Sequence, residues 1–248
     1  MLQVDPQIWN LYQILDLIGV LLNAMIGGTI ARQRNFDFVG FFFLALFSGL
    51  GGGMVRDMLM QRGTAAAIQN PNYLLLALAG AAIALLINLR GKQWELLKVH
   101  ADAVVLGVWA VTGSVKALAY SMPPASAIFL GVLTAVGGGM IRDIASGQVP
   151  SIFGGNHLYA VPAVLGAASM VVFHHFELNA IGMIVSSALA SAMAILAYWK
   201  GWRLYQDAEW TILKREYIPN KVRIRRASVP QSRKEVGEQK EPQKERTQ

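Results

Sequence analysis

The chain has 248 residues, 54% of them hydrophobic and only 15% charged, with a mean hydropathy of +0.40; a soluble domain carries roughly a quarter charged residues, so this composition argues against one. The formal net charge of +7 gathers at one end, since residues 1–199 hold nine Lys/Arg against eight Asp/Glu and residues 200–248 hold thirteen against seven, which removes any electrostatic case for nucleic-acid binding by the body. With no cysteine, disulfides and thiolate metal sites are excluded.

Residues 1–10 contain one acid and no Lys or Arg, without the basic region and cleavage site of a secretory signal. Seven stretches then approach the roughly 20 apolar residues that cross a bilayer as a helix. They cover about 11–31, 38–60, 73–89, 102–120, 125–145, 159–176 and 179–199. Backbone groups must be satisfied within each span, so helices are predicted throughout, and the fold class is an all-α polytopic membrane protein. The first loop carries Arg32 and Arg34, the third Arg90, Lys92 and Lys98, and the C-terminal end is densely basic. Lys/Arg bias therefore predicts an extracytoplasmic N-terminus and a cytoplasmic C-terminus. Trp199, Lys200, Trp202, Arg203 and Tyr205 suit an interfacial anchor, and residues 208–218 an interfacial helix. Beyond Pro219 the segment is too polar to fold alone. Its Arg223, Arg225 and Arg226 read either as contacts to anionic lipid or as a topology signal.

Residues 16–82 and 102–168 correspond at a constant offset of 86 without gaps. Asp16 falls on Asp102, Gly27 on Gly113, Asn70 on Asn156, Tyr73 on Tyr159 and Gly80 on Gly166. Gly51-Gly52-Gly53-Met54 falls on Gly137-Gly138-Gly139-Met140, and Arg56-Asp57 on Arg142-Asp143. Each copy has room for three spans, and an odd number forces the copies into opposite orientations, the inverted repeat of transporters and channels. The predicted organisation is an N-terminal segment at 1–10, a first repeat at 11–89, a second at 102–176, a seventh helix at 179–200 and a basic tail at 201–248.

Three successive glycines inside a span each destabilise a helix interior by about 1 kcal/mol against alanine. Two purposes fit Gly51, Gly52, Gly53, Gly137, Gly138 and Gly139: a hinge or pore lining that exposes backbone, or close packing of helices at a small-residue surface. Arg56, Asp57, Arg142 and Asp143 follow the triplets. Adjacent helical residues do not face one another, so neither pair is expected to be a simple internal salt bridge. They read as fixed charges along a path or as ion pairs locking each membrane edge. Asp16 and Asp102, near the starts of spans one and four, favour a helix N-terminal dipole, or pair with the opposite copy's Arg, or attract cations. Lys116, whose repeat equivalent is Ile30, either snorkels to the surface or projects into the path as an asymmetric gate. Ser48 and Thr134 line a hydrated path or bond back to their own helices. His100, His157, His174 and His175 form no metal-ligand pattern, and no P-loop, GxSxG or HExxH occurs. No enzyme, cofactor or metal is therefore expected.

The duplicated GGGMVRD at 51–57 and GGGMIRD at 137–143 resembles the trimeric intracellular cation (TRIC) channel family, in its prokaryotic branch, a sequence family also labelled glycine transporter. The resemblance covers residues 11 to about 200. It implies a homotrimer in the cytoplasmic (inner) membrane of a prokaryote. Each subunit would hold its own pore, built from two inverted three-helix repeats and a seventh helix. The glycine triplets would bend the second and fifth helices around that pore, with Arg56, Asp57, Arg142 and Asp143 beside them. Monovalent cations, chiefly potassium with sodium as a second candidate, would pass. Electrostatics alone, with an arginine in each copy, points instead to anions. The other class left open by the residues is a carrier for a small zwitterion such as glycine, held by helix ends at the glycine sites.

Overall fold

A computed structural model describes residues 6–87, 91–153 and 158–203. The chain divides into two units, Met1–Gln206 and Asp207–Gln248, and every described residue lies in the first. The expected interfacial helix at 208–218 and the arginines after Pro219 fall outside the described residues, as do Arg90, Asn156 and His157.

The apolar runs form α1 (Pro6–Gln33), α2 (Phe38–Met60), α4 (Pro71–Leu86), α5 (Lys92–Ala119), α6 (Pro124–Ala145), α7 (Ala160–His175) and α8 (Asn179–Lys200), with a four-residue α3 (Ala66–Gln69) between α2 and α4. A 3-10 turn, Ser151–Phe153, lies in the corresponding place between α6 and α7. Local chemistry sets the ends. Asp37 caps α2, its carboxylate accepting from Gly40 N at 2.7 Å. Asn70 caps α4 in the same way, with Pro71 in the first turn. Gly201, at φ +67, ends α8 in the left-handed conformation.

Five helices, α1, α2, α5, α6 and α8, are long and apolar enough to cross a membrane. The other two, α4 and α7, are apolar but have 16 residues each, or about 24 Å at 1.5 Å per residue, short of the roughly 30 Å hydrocarbon core. Two boundaries depart from the sequence expectation. Helix α1 starts at Pro6, and α5 starts at Lys92 rather than near 102. The extra turns of α5 are amphipathic, with Lys98 bonded to Glu95 at 2.5 Å and Gln33 to Glu95 at 3.2 Å. Hydropathy registers only the apolar part of such a helix.

Helices α1, α2 and α4 pack against one another, and so do α5, α6 and α7. Helix α8 lies on α5 and α7, and the two groups meet where α1 touches α5 and α2 crosses α6. Large apolar side chains such as Phe43, Leu75, Phe129, Ile184 and Leu196 point outward, the pattern of a lipid-facing surface. Small residues, including Ala24, Ala77, Ala110, Ala163 and Ala190, fill the interior and allow close helix approach.

Neither glycine triplet interrupts its helix. At the α2–α6 crossing the middle glycines sit under the partner's backbone. A Cβ on Gly52 would strike the Thr134 carbonyl oxygen, and one on Gly138 would strike the Ser48 carbonyl oxygen. This contact is reciprocal, because Gly52 corresponds to Gly138 and Ser48 to Thr134 at the same offset.

Candidate functional site

Close to their C-termini, α2 and α6 each carry an arginine followed by an aspartate, both buried. A helix C-terminus disfavours an anion, so these carboxylates need external donors. Asp57 has four. Arg56 Nε donates at 2.8 Å, Lys116 Nζ at 2.8 and 2.9 Å to the two oxygens, and Ala66 N, at the start of α3, at 2.9 Å. Asp143 accepts from Arg142 Nε at 2.9 Å and from Ser151 N and Oγ at 3.2 and 3.3 Å, and Arg142 Nη2 lies 2.9 Å from its Oδ1 as an ion pair.

These bonds correct the expectation that neighbouring Arg and Asp would not pair. The side chains diverge by about 100° around the helix, but the arginine stem is long enough to return across that angle. The guanidinium Nε then donates to its neighbour's Oδ1.

Asp16 and Asp102 are each the eleventh residue of their helix, three turns from the N-terminus. The dipole acts within the first turn, so it does not reach either carboxylate. Their arginine partners come from their own copy rather than the opposite one. Asp102 Oδ1 is 3.9 Å from Arg142 Nη1, and the Tyr159 hydroxyl interacts with the same carboxylate. Asp16 accepts from Tyr73 OH at 2.7 Å and Tyr12 OH at 3.4 Å and interacts electrostatically with Arg56. Both arginines keep one buried nitrogen, Nη1, without a hydrogen bond.

Lys116 does not snorkel. It is 9% exposed and fixed to Asp57, joining the second half of the chain to the first. Thr134 bonds back to Leu130 O at 2.6 Å, whereas Ser48 donates across to Asn23 Oδ1 at 2.9 Å. The glycines of each triplet divide their roles. Gly51, Gly52, Gly137 and Gly138 pack at the crossing, while Gly53 and Gly139 leave room for the guanidinium groups of Arg56 and Arg142, 3.7 and 3.6 Å from an added Cβ.

The charges give the two clusters different totals. Arg56 and Lys116 balance Asp16 and Asp57. Arg142 faces Asp102 and Asp143, and Lys98, itself paired with Glu95, also acts on Asp102; by formal charge these five groups sum to one negative charge in excess. Cavities adjoin both. One of about 110 Å³ is lined by Tyr12, Asp57, Arg62, Asn70, Tyr73 and Lys116. A second, about 10 Å³, lies among Asp16, Gly53, Arg56, Tyr73 and Trp109, room for about one water. A third, about 190 Å³, opens beside Asp102, Ser151, Tyr159 and Tyr198. Among the described residues, no group of three or more His, Cys, Asp or Glu is placed to hold a metal ion.

The reading of the residues missed the tyrosines. Tyr73 and Tyr159 correspond in the two copies, and Tyr12 stands four residues before Asp16 on one helix face, so both signals were present. Asn23 and Trp109 occupy the same repeat position but share no chemistry, and no pattern marked them.

Comparison with known proteins agrees with this architecture. The profile of the glycine transporter family matches twice, over residues 13–88 and 99–175, again separated by 86. A UPF0126 membrane protein of Deinococcus radiodurans is 34% identical over 157 residues, covering 63% of this chain and 73% of that protein. The solved structure of the TRIC trimeric intracellular cation channel orthologue from Rhodobacter sphaeroides superposes with a TM-score of 0.72 at 28% identity, covering 77% of this chain and 98% of the other. A second structure, solved to explain conductance through TRIC cation channels, gives 0.69 at 29% identity over 79% and 96%. With the family profile matching both halves of the chain and solved members superposing on its helices, the chain is a membrane protein of the glycine transporter (TRIC) family.

Proposed function

We propose that the chain is a monovalent cation channel of the cytoplasmic membrane, with potassium as its main ion. Seven helices span the bilayer as two inverted repeats, α1–α4 and α5–α7, plus α8, with the N-terminus outside and the C-terminus inside. The path runs within each subunit of a homotrimer, beside α5, from the Lys116 cavity to the Asp102 cavity. The glycine triplets of α2 and α6 shape its middle.

The charge total carries the reading. Two arginines in the spans point to anions only if they are unpaired. Here each is paired with aspartates, and the formal charges around Asp102, counting Arg142, Lys98, Asp143 and Glu95, sum to one negative beside the 190 Å³ cavity. Solved relatives described as cation channels support the same class.

A second reading has one observation in its favour. The 110 Å³ cavity brings Asp57 together with Lys116 and Arg62, groups of both signs, as a carrier of a small zwitterion such as glycine requires. Planar-bilayer recording of purified protein in a potassium chloride gradient separates the two. Unitary currents reversing near the potassium potential are expected, with reversal moving toward zero in Asp102→Asn. Silence in the bilayer, with saturable glycine uptake by liposomes of the same preparation, refutes the channel.

A further inference from the structure

The polar ends of the path are separated by an apolar layer, and one side chain dominates it. On α5, Asp102, Ala103 and Leu106 line the 190 Å³ cavity, and Trp109 lines the one-water cavity beside Asp16 and Arg56. Lys116 follows two turns later. Trp109 is 2% exposed and packs in one apolar cluster with Val20, Leu50, Leu106 and Val136.

The indole bridges the two halves of the molecule. Its pyrrole edge lies against Gly19 of α1, where an added Cβ would collide with Nε1 and sit 2.8 Å from Cε2. Its far edge reaches Gly138 of α6, where an added Cβ would be 3.4 Å from Cζ3. The indole thus occupies space left by two glycines, next to the α2–α6 crossing. Contact holds it more than hydrogen bonding does, since its N–H reaches Asp16 O only at 3.5 Å.

Asn23 stands at the equivalent place in the first half. It is short, polar and tied to Ser48 at 2.9 Å. The two halves are therefore unlike at the centre, and only the second closes it with an aromatic ring. A narrow apolar layer expels water and with it any ion that must shed its hydration.

We propose that the Trp109 indole is the closed constriction of the path, separating the Lys116 cavity from the Asp102 cavity. This rests on a path running through the subunit, as above. Opening requires the ring to leave the space between Gly19 and Gly138.

Because the chain has no cysteine, single cysteines report accessibility without background. Leu106→Cys places a thiol beyond the indole from the Lys116 side, and Thr64→Cys, in the loop lining the Lys116 cavity, identifies which face a membrane-impermeant cationic thiol reagent meets. In proteoliposomes, labelling of Leu106→Cys from the Thr64 side should rise at least about tenfold when Trp109→Asn is added, equivalent to about 1.4 kcal/mol off the barrier. Potassium flux should rise in the same preparation. Trp109→Phe, which keeps a ring in place, should label at the original rate. Trp109→Leu, apolar but smaller, replaces the asparagine variant if that protein fails to elute as the unmodified one does, and should give an intermediate rate. Equal labelling across the folded variants, with potassium flux present in the unmodified protein, overturns the constriction and leaves the channel standing. Faster labelling in a protein that carries no potassium flux in any variant supports the constriction and removes the channel.

Discussion

Lys116→Met tests the bond that joins the two halves of the chain. Lys116 Nζ reaches both oxygens of Asp57 at 2.8 and 2.9 Å, and both groups are buried. Breaking a buried pair from one side is destabilising by about 3–5 kcal/mol, because the other charge stays behind. Asp57 would not be left bare, since Arg56 Nε and Ala66 N still donate to it. The expected loss is therefore at the lower end, about 3 kcal/mol. Asp143 supports that placement, as it is held without any lysine, by Arg142 and Ser151. A double-mutant cycle of Lys116→Met with Asp57→Asn, read by reversible unfolding in detergent, isolates the pair. A coupling of at least about 1.5 kcal/mol is expected, above the 0.2–1 kcal/mol typical of exposed pairs. A coupling near zero refutes the reasoning, because the pair would then behave as solvated and screened. The same substitution removes a positive charge from the mouth of the path. Cation conductance through Lys116→Met should therefore rise, and a fall would oppose the proposed route.

The α2–α6 crossing and the second charge cluster yield two further outcomes. Gly52→Ala and Gly138→Ala each press a methyl group against a partner carbonyl and should destabilise by about 1–3 kcal/mol or more, whereas Gly53→Ala, with only Arg56 Nη2 nearby at 3.7 Å, should be close to neutral; thermal unfolding in detergent measures all three. Arg142→Gln leaves Asp102 and Asp143 without their common cation and should lower stability by about 3–5 kcal/mol, with Asp143→Asn in the same chain recovering part of the loss; equal stability of the single and double variants would show that the carboxylates are not coupled through Arg142.

The helices were readable because a bilayer leaves few alternatives. An apolar run near 20 residues has to satisfy its own backbone, so α2, α6 and α8 stand almost where hydropathy puts them. Helix α5 was misjudged at its start because Lys92, Glu95 and Lys98 lie on an amphipathic extension that carries no hydropathy signal. The arginine–aspartate pairs were visible as charges but not as bonds. Their pairing depends on rotamers and on which donors the neighbouring helices supply. Ser151 reaches Asp143 only because a 3-10 turn folds back under α6, and Ala66 reaches Asp57 because α3 does the same under α2.

By itself the sequence determined the membrane class, the duplication at an offset of 86 and the places where glycine and charge recur, since composition and period are properties of the chain alone. Only the tertiary structure decided what those residues do. It seats Gly52 and Gly138 under facing carbonyls, binds Lys116 to Asp57 across 59 positions and sets Arg142 against both Asp102 and Asp143. It also lays the Trp109 ring over Gly19. Each of these depends on how close two distant helices approach, and that distance is set by the packing of every side chain between them.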